Sequence, residues 1–213
     1  MTLRILVTGA FGFVGRHVAR ASARHGHMVQ GVGHGSWMRR EFVEWGLSDW
    51  HSVDVTLENL ITYGGDPDAI IHCAGGGSVA FSVAYPRQDF QRNVETTLAV
   101  LEYARLHRPS ARVVLASSAA VYGSCGSSTE RGTASIAPIS PYGWHKHMAE
   151  QLCQSYAAQY GLSVSVVRLF SVYGSGLRKQ LLWDACVKFA GEERPVFGGD
   201  GTERRDWLHV EDA

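Results

Sequence analysis

Tyr142 and Lys146 stand four residues apart in the run Ser-Pro-Tyr-Gly-Trp-His-Lys at residues 140–146. Pro141 suits the first position of a helix, so the two side chains fall one turn apart on the same face. That spacing sets an ammonium beside a phenol. A free phenol, with a pKa of ~10, is a poor base at neutral pH, but a fixed neighbouring cation favours its ionised form. Such a pair can move protons, although a helix can also carry Tyr and Lys at this spacing without any function.

A second set of residues suggests what the proton transfer would serve. Gly9, Gly12 and Gly15 recur at three-residue intervals in "VTGAFGFVG", directly after an apolar run and at the start of a helical pattern. Glycines there permit a tight turn and close backbone approach, leaving the helix N-terminus to hold a diphosphate through its N–H groups. The spacing differs from the usual Gly-x-Gly-x-x-Gly fingerprint. Its strand–turn–helix setting points to dinucleotide binding.

These residues need a frame that brings them together. Short apolar runs at Leu3–Val7, Met28–Val32, Ala69–Cys73, Val113–Ala116 and Val164–Leu169 read as buried strands. Helical spacing occupies Val14–Arg24, Pro86–His107, Pro141–Tyr160 and Lys179–Gly191. This alternation predicts an α/β fold, a doubly wound parallel sheet with right-handed crossovers. Gly123–Ser140, rich in Ser, Gly and Thr, reads as a long loop, either a lid beside a site or a surface excursion.

The totals narrow the class of function. The chain has 213 residues, enough for a substantial core without disulfide or metal staples, and equal numbers of acidic and basic residues. With no net charge, nucleic acid and anionic membranes are not expected as partners. Cys73, Cys125, Cys153 and Cys186 lie far apart, mostly in apolar stretches that read as core, and suggest reduced thiols in a cytoplasmic protein. No Cys/His cluster has metal-ligand spacing, so no metal is expected. The N-terminal apolar run is broken by glycines and lacks an export pattern, and no stretch reaches the length of a membrane span.

Taken in order, Thr8-Gly-x-x-Gly-x-x-Gly, "VDVT", "IIHCAGG", "RNVETT", "SSAAVYG", Tyr142-x-x-x-Lys146, "RLFSVYGSG" and "GDGTERRDWLHVED" resemble the extended short-chain dehydrogenases/reductases. Within that superfamily the chain is similar to the NAD-dependent epimerase/dehydratase family of nucleotide-sugar enzymes, with a Rossmann-like fold. The resemblance implies a cofactor NAD(P) held by Gly9, Gly12, Phe13, Gly15, Gly33, Arg39, Asp54, Val55, Ala74, Gly75, Asn93, Tyr142 and Lys146. It implies Tyr142 as acid/base, Lys146 as ligand of the nicotinamide ribose and depressor of the tyrosine pKa, and Ser118 as hydrogen-bond partner of the reacting hydroxyl. Asp54 would accept from the adenine amino group. Ser118, Ser171 and Arg205 would contact the nucleotide-sugar substrate, with Arg204 able to serve instead of Arg205. A homodimer is expected through the helices Pro86–His107 and Pro141–Tyr160, with Val94, Leu98, Leu101, Met148, Leu152 and Tyr156 compatible with that face or with packing on the sheet.

The departures from the family pattern refine the reading. Gly33 stands where NAD-using members carry an aspartate for the adenosine ribose, which removes a repulsion against a 2′-phosphate that Arg39 or Arg40 could pair with. Ala119 and Ala120 replace the acidic pair of sugar dehydratases, so elimination of water is not expected. What remains is hydride transfer without elimination: a nucleotide-sugar epimerase, or alternatively an NADPH-dependent nucleotide-sugar ketoreductase or a cofactor-binding module without catalysis. Ser171 replaces an asparagine of many relatives. The chain stops at Ala213, just past a motif after which similar enzymes continue. Residues 1–170 are thus read as the dinucleotide-binding domain, and 171–213 as the start of a truncated, incomplete substrate-binding portion.

Overall fold

Along the first strand, β1 (Arg4–Thr8), Leu6 points to one side and Ile5 and Val7 to the other, and all three are buried. A strand apolar on both faces must be covered on both. In the computed structural model, which describes residues 1–123, 135–191, 194–202 and 204–213, it is. Leu6 joins Val32, Ile70, Val113 and Leu115 in a core that also takes in Val100, Leu101, Ala149 and Cys153. Ile5 and Val7 join Val29, Ala19, Phe42 and Trp50 on the opposite face. Each fully buried aliphatic side chain of this kind contributes about 1.5–3 kcal/mol.

The remaining elements follow the strand–helix alternation. They are α1 (Phe13–Arg24), β2 (Met28–Gly33), α2 (Arg39–Glu44), β3 (Asp49–Ser52), α3 (Leu57–Tyr63), β4 (Ala69–His72), α4 (Val79–Ala84), α5 (Pro86–Phe90), α6 (Thr96–His107), β5 (Arg112–Ser118), α7 (Pro141–Tyr160), β6 (Ser163–Leu169), β7 (Ser171–Tyr173), α8 (Gln180–Gly191) and β8 (Trp207–His209). A π-helical turn, Gln91–Glu95, joins α5 to α6, and a 3₁₀ turn, Ala119–Tyr122, follows β5. The six-stranded sheet has the order β3-β2-β1-β4-β5-β6. β1 pairs in parallel with β2 and β4, β2 with β3, and β4 with β5. The strand order reverses between β1 and β4, and in open α/β sheets ligands bind outside the carboxyl ends of the strands at such a point.

By contacts the chain divides into two compact units, Met1–Arg168 and Leu169–Ala213. In the second unit β7 and β8 pair in parallel, with Ser171 opposite Trp207. Cys186 is exposed on α8, none of whose residues is buried, so its place in an apolar run does not put it in a core. Most of the Gly123–Ser140 loop, with Cys125, lies outside the described residues. Val94 and Leu101 are buried within the first unit and are therefore not available to an outer face, whereas Leu98 and Met148 are exposed. No helix among the described residues is long and apolar enough to cross a membrane.

Candidate active site

The turn after β1 is shaped by what its glycines exclude. Gly9 has a φ of +71°, and a Cβ there would lie 2.6 Å from the Ala74 backbone nitrogen. A Cβ on Gly15 would collide with the Gly9 carbonyl. Only hydrogen fits at both places, so α1 starts hard against the ends of β1 and β4. Its N-cap, Gly12, supplies no side-chain cap, so the first-turn N–H groups are not occupied by one.

A cleft of about 400 Å³ opens beside this turn, within the range of small-molecule sites. It is lined by Gly9, Gly12, Gly33, Val55, Ala74 and Gly75 from the expected set. Phe11, His34, Cys73, Arg92 and Thr96 line it as well, and none of them figures in that set. Phe11 lies inside the glycine motif, and Arg92 and Thr96 sit four apart in "RNVETT", which places them on one helical face. That periodicity was a signal available in the sequence.

Other expected residues sit around the cleft rather than along it. Asp54 is exposed, with its Oδ1 2.7 Å from His34 Nε2. Asn93 is buried in the π-helical turn, where its Nδ2 donates to the Asp89 carbonyl and its Oδ1 has no partner among the described residues. That oxygen lies 2.6 Å from where a Gly75 Cβ would stand. Phe13 opens α1, its ring edge-on to His17. Arg39 is exposed at the start of α2 and does not line the cleft; Arg40 pairs with Glu44 at 3.1 Å.

The residues expected to transfer protons are brought by α7 and the end of β5. Ser140 caps α7 by accepting from the Gly143 N–H at 3.1 Å, and Pro141 takes the first turn. Tyr142 and Lys146 are both buried. Ser118 is the side chain whose hydrogen-bonding influence favours the ionised Tyr142 phenol, and its hydroxyl oxygen accepts from the Ala120 N–H at 3.2 Å. Beneath Ser118, the buried Glu150 carboxylate accepts from the Ser117 hydroxyl at 2.5 Å and from Arg168 at 2.9 and 2.7 Å. This network ties β5, α7 and β6 together behind the site.

The electrostatics differ from the spacing argument. Burial pushes the Tyr142 phenol above its ordinary value, the Ser118 hydrogen bond opposes that, and the Asp89 carboxylate adds to it. Burial likewise pulls the Lys146 ammonium down to about 8. Its Nζ donates to the Ala116 carbonyl at 2.9 Å. Desolvation is thus the strongest influence on the phenol, and it is one that spacing along a helix does not reveal.

Ser171 and Arg205 belong to the second unit. Ser171 donates its backbone N–H to the Asp206 carbonyl at 3.0 Å, so both residues lie at one end of the β7–β8 pair, with Arg205 exposed.

Comparison with known proteins agrees with this architecture. The model of the NAD dependent epimerase/dehydratase family matches residues 5–213. The chain is 31% identical to a UDP-glucuronate 4-epimerase of Thermodesulfobacterium geofontis, over 97% of this chain and 68% of that one. It is 32% identical to a UDP-glucose 4-epimerase of Azospirillum brasilense, over 98% of this chain and 65% of that one. The crystal structure of UDP-glucose 4-epimerase from Brucella ovis in complex with NAD superimposes with a TM-score of 0.82 at 29% identity, covering 98% of this chain and 69% of that one. The chain spans about two thirds of the length of these relatives.

Proposed function

We propose, from the premise that this chain belongs to the NAD-dependent epimerase/dehydratase family, that it carries the catalytic half of a nucleotide-sugar 4-epimerase. The observation that carries the reading is the buried Tyr142 and Lys146 one turn apart on α7, with Lys146 Nζ 3.5 Å from where a Cβ on the cleft-lining Gly75 would stand, at the strand-order reversal.

The residues present fit NAD. The Gly9–Gly15 turn leaves space that a Cβ would fill, and α1 presents its uncapped N-terminus to a diphosphate. Asp54 would accept from the adenine amino group, and Gly33, Val55, Ala74 and Gly75, which line the cleft, would allow close approach of a flat ring system. When bound, nicotinamide supplies a reversible hydride acceptor.

Tyr142 takes the proton from the sugar 4-hydroxyl as its carbon is oxidised, and returns it after the keto sugar has turned over. Ser118 hydrogen-bonds the reacting oxygen and keeps it aligned with the phenol. Lys146 contributes positive charge that favours the phenolate and a donor for the nicotinamide ribose. Ala119 and Ala120 have no proton to exchange, which favours redox without elimination. Ser171 and Arg205 would hold the substrate diphosphate; Arg205 suits it because a guanidinium pairs bidentately with phosphate.

The test is incubation of the purified protein with UDP-glucose or UDP-glucuronate and NAD, followed by chromatography of the 4-epimers. Conversion without net change in NADH absorbance is expected. Stoichiometric loss of NADPH with a 4-keto sugar nucleotide would instead establish a ketoreductase. Cofactor binding with no turnover, unaffected by Tyr142→Phe, would leave only a binding module. A homodimer belongs to the same proposal, supported by exposed Leu98, Trp144 and Met148 on α6 and α7. A monomeric mass by light scattering would remove it.

A further inference from the structure

Asp89 is a carboxylate with no exposure at all, at the end of α5. Its Oδ2 accepts from His145 Nδ1 at 2.7 Å, while its Oδ1 has no hydrogen-bond partner among the described residues. That Oδ1 lies 2.8 Å from where a Cβ on Gly76 would stand, next to the cleft-lining Gly75. A buried carboxylate with one partner is costly to keep, so its surroundings need an account. His145 lies between Tyr142 and Lys146 in sequence and one turn from the tyrosine, on the stretch of α7 that carries the proton-transfer pair. Its ring packs edge-on against Phe90, the neighbour of Asp89, at 5.5 Å.

We propose that the buried Asp89–His145 hydrogen bond is a positioning element of this site, joining α5 to the first turns of α7 and keeping a carboxylate beside Tyr142 and Lys146. The ionisable groups acting on Lys146 are Asp89 from α5, His72 and Cys73 at the end of β4, and Glu150 and Cys153 farther along α7. Of the charged side chains, Asp89 alone acts on the Tyr142 phenol as well. Glu150 is engaged by Arg168. The Asp89 charge opposes ionisation of the phenol and sustains the ammonium. The carboxylate therefore adds to burial in favouring the neutral phenol and works against burial in favouring the charged amine, the combination that donates rather than takes a proton until a ligand changes the balance.

This inference rests on the reading of Tyr142 and Lys146 as the acid/base pair, and its test uses the ligand-free chain. Lys146, Lys179 and Lys188 are the chain's only lysines, so lysine labelled with ¹³C at Cε yields three NMR signals, and Lys146→Arg identifies one. In Asp89→Asn, which keeps an acceptor for His145, the Lys146 midpoint is expected to move to lower pH. His145→Phe, which keeps a ring against Phe90, is expected to move it in the wild-type background and to have no effect once Asp89→Asn is present. An unmoved midpoint in folded Asp89→Asn overturns the inference. Should that variant fail to fold, an unmoved midpoint in His145→Phe does so. An unmoved midpoint with intact epimerisation sinks this inference alone, whereas a shifted midpoint in a protein that converts no sugar nucleotide sinks the epimerase reading alone.

Discussion

The Lys146 ammonium donates to the carbonyl of Ala116 across 2.9 Å, which spans from α7 to β5 beneath the cleft. A cation held there is almost wholly removed from water, and burial pulls its pKa from 10.5 down to about 8. The unfolded chain then binds more protons than the folded one between about pH 8 and 10.5, so stability rises with pH through that window. The expected gain from Lys146 is on the order of 3 kcal/mol. Urea denaturation at both ends of the window checks it: Lys146→Met should lose this pH dependence while abolishing turnover.

His72 predicts the opposite end of the pH scale. Its ring is buried between the Thr8 hydroxyl, at 2.6 Å from Nδ1, and the Thr97 hydroxyl, at 3.2 Å from Nε2. Burial, with a smaller push from Lys146, lowers its pKa from 6.5 to about 3. Neutral imidazole in the fold is fully compatible with stability above pH 6.5. As the pH falls toward 3 the unfolded chain takes up a proton that the folded one refuses, and stability declines by on the order of 5 kcal/mol. Thermal unfolding followed from pH 7 to 4 should show a shallower decline in His72→Asn than in the wild type.

Gly15 carries the tightest backbone approach of the glycine turn. In Gly15→Ala the new methyl meets the Gly9 carbonyl, which can retreat only by moving the turn away from Ala74. Loss of NAD binding at least tenfold is expected, together with a lowered melting temperature, because the same turn packs α1 on the sheet. Calorimetric titration with NAD measures the first and a thermal scan the second. NAD affinity equal to that of the wild type would contradict the placement of the diphosphate at α1.

The sequence made the local parts of this site legible and the long-range ones not. Pro141 and Ser140 mark the start of α7 because capping is written within four residues, and the glycine turn is readable for the same reason. β3 escapes notice because only Trp50 of its four residues is buried, and α4 because Val79 and Val83 are exposed, so neither presents its period. The Asp89–His145 and Glu150–Arg168 pairs join residues 56 and 18 positions apart, and no local pattern announces them. The state of Tyr142 is not legible from spacing for a related reason. Lys146 four residues on is visible in the sequence, but the desolvation that acts most strongly on the phenol exists only once the chain is packed.

His34 Nε2 and Asp54 Oδ1 lie 2.7 Å apart just beyond the end of β2, and His34 lines the cleft. Gly33 offers no side chain at the end of β2, and beyond it both of these groups are largely exposed. A carboxylate accepts more than one hydrogen bond, which leaves Asp54 able to take another from an adenine amino group. That contact is common to NAD and NADP. Asp54→Ala should therefore weaken both by about ten- to a hundredfold, the value of a hydrogen bond to a charged group. Arg39 is exposed and outside the cleft lining, so if it pairs with a 2′-phosphate, Arg39→Ala should weaken NADP and leave NAD unchanged. Fluorescence titration of each variant with the two cofactors separates these roles, and a loss confined to NADP on substituting Asp54 would place that carboxylate at the ribose instead of the base.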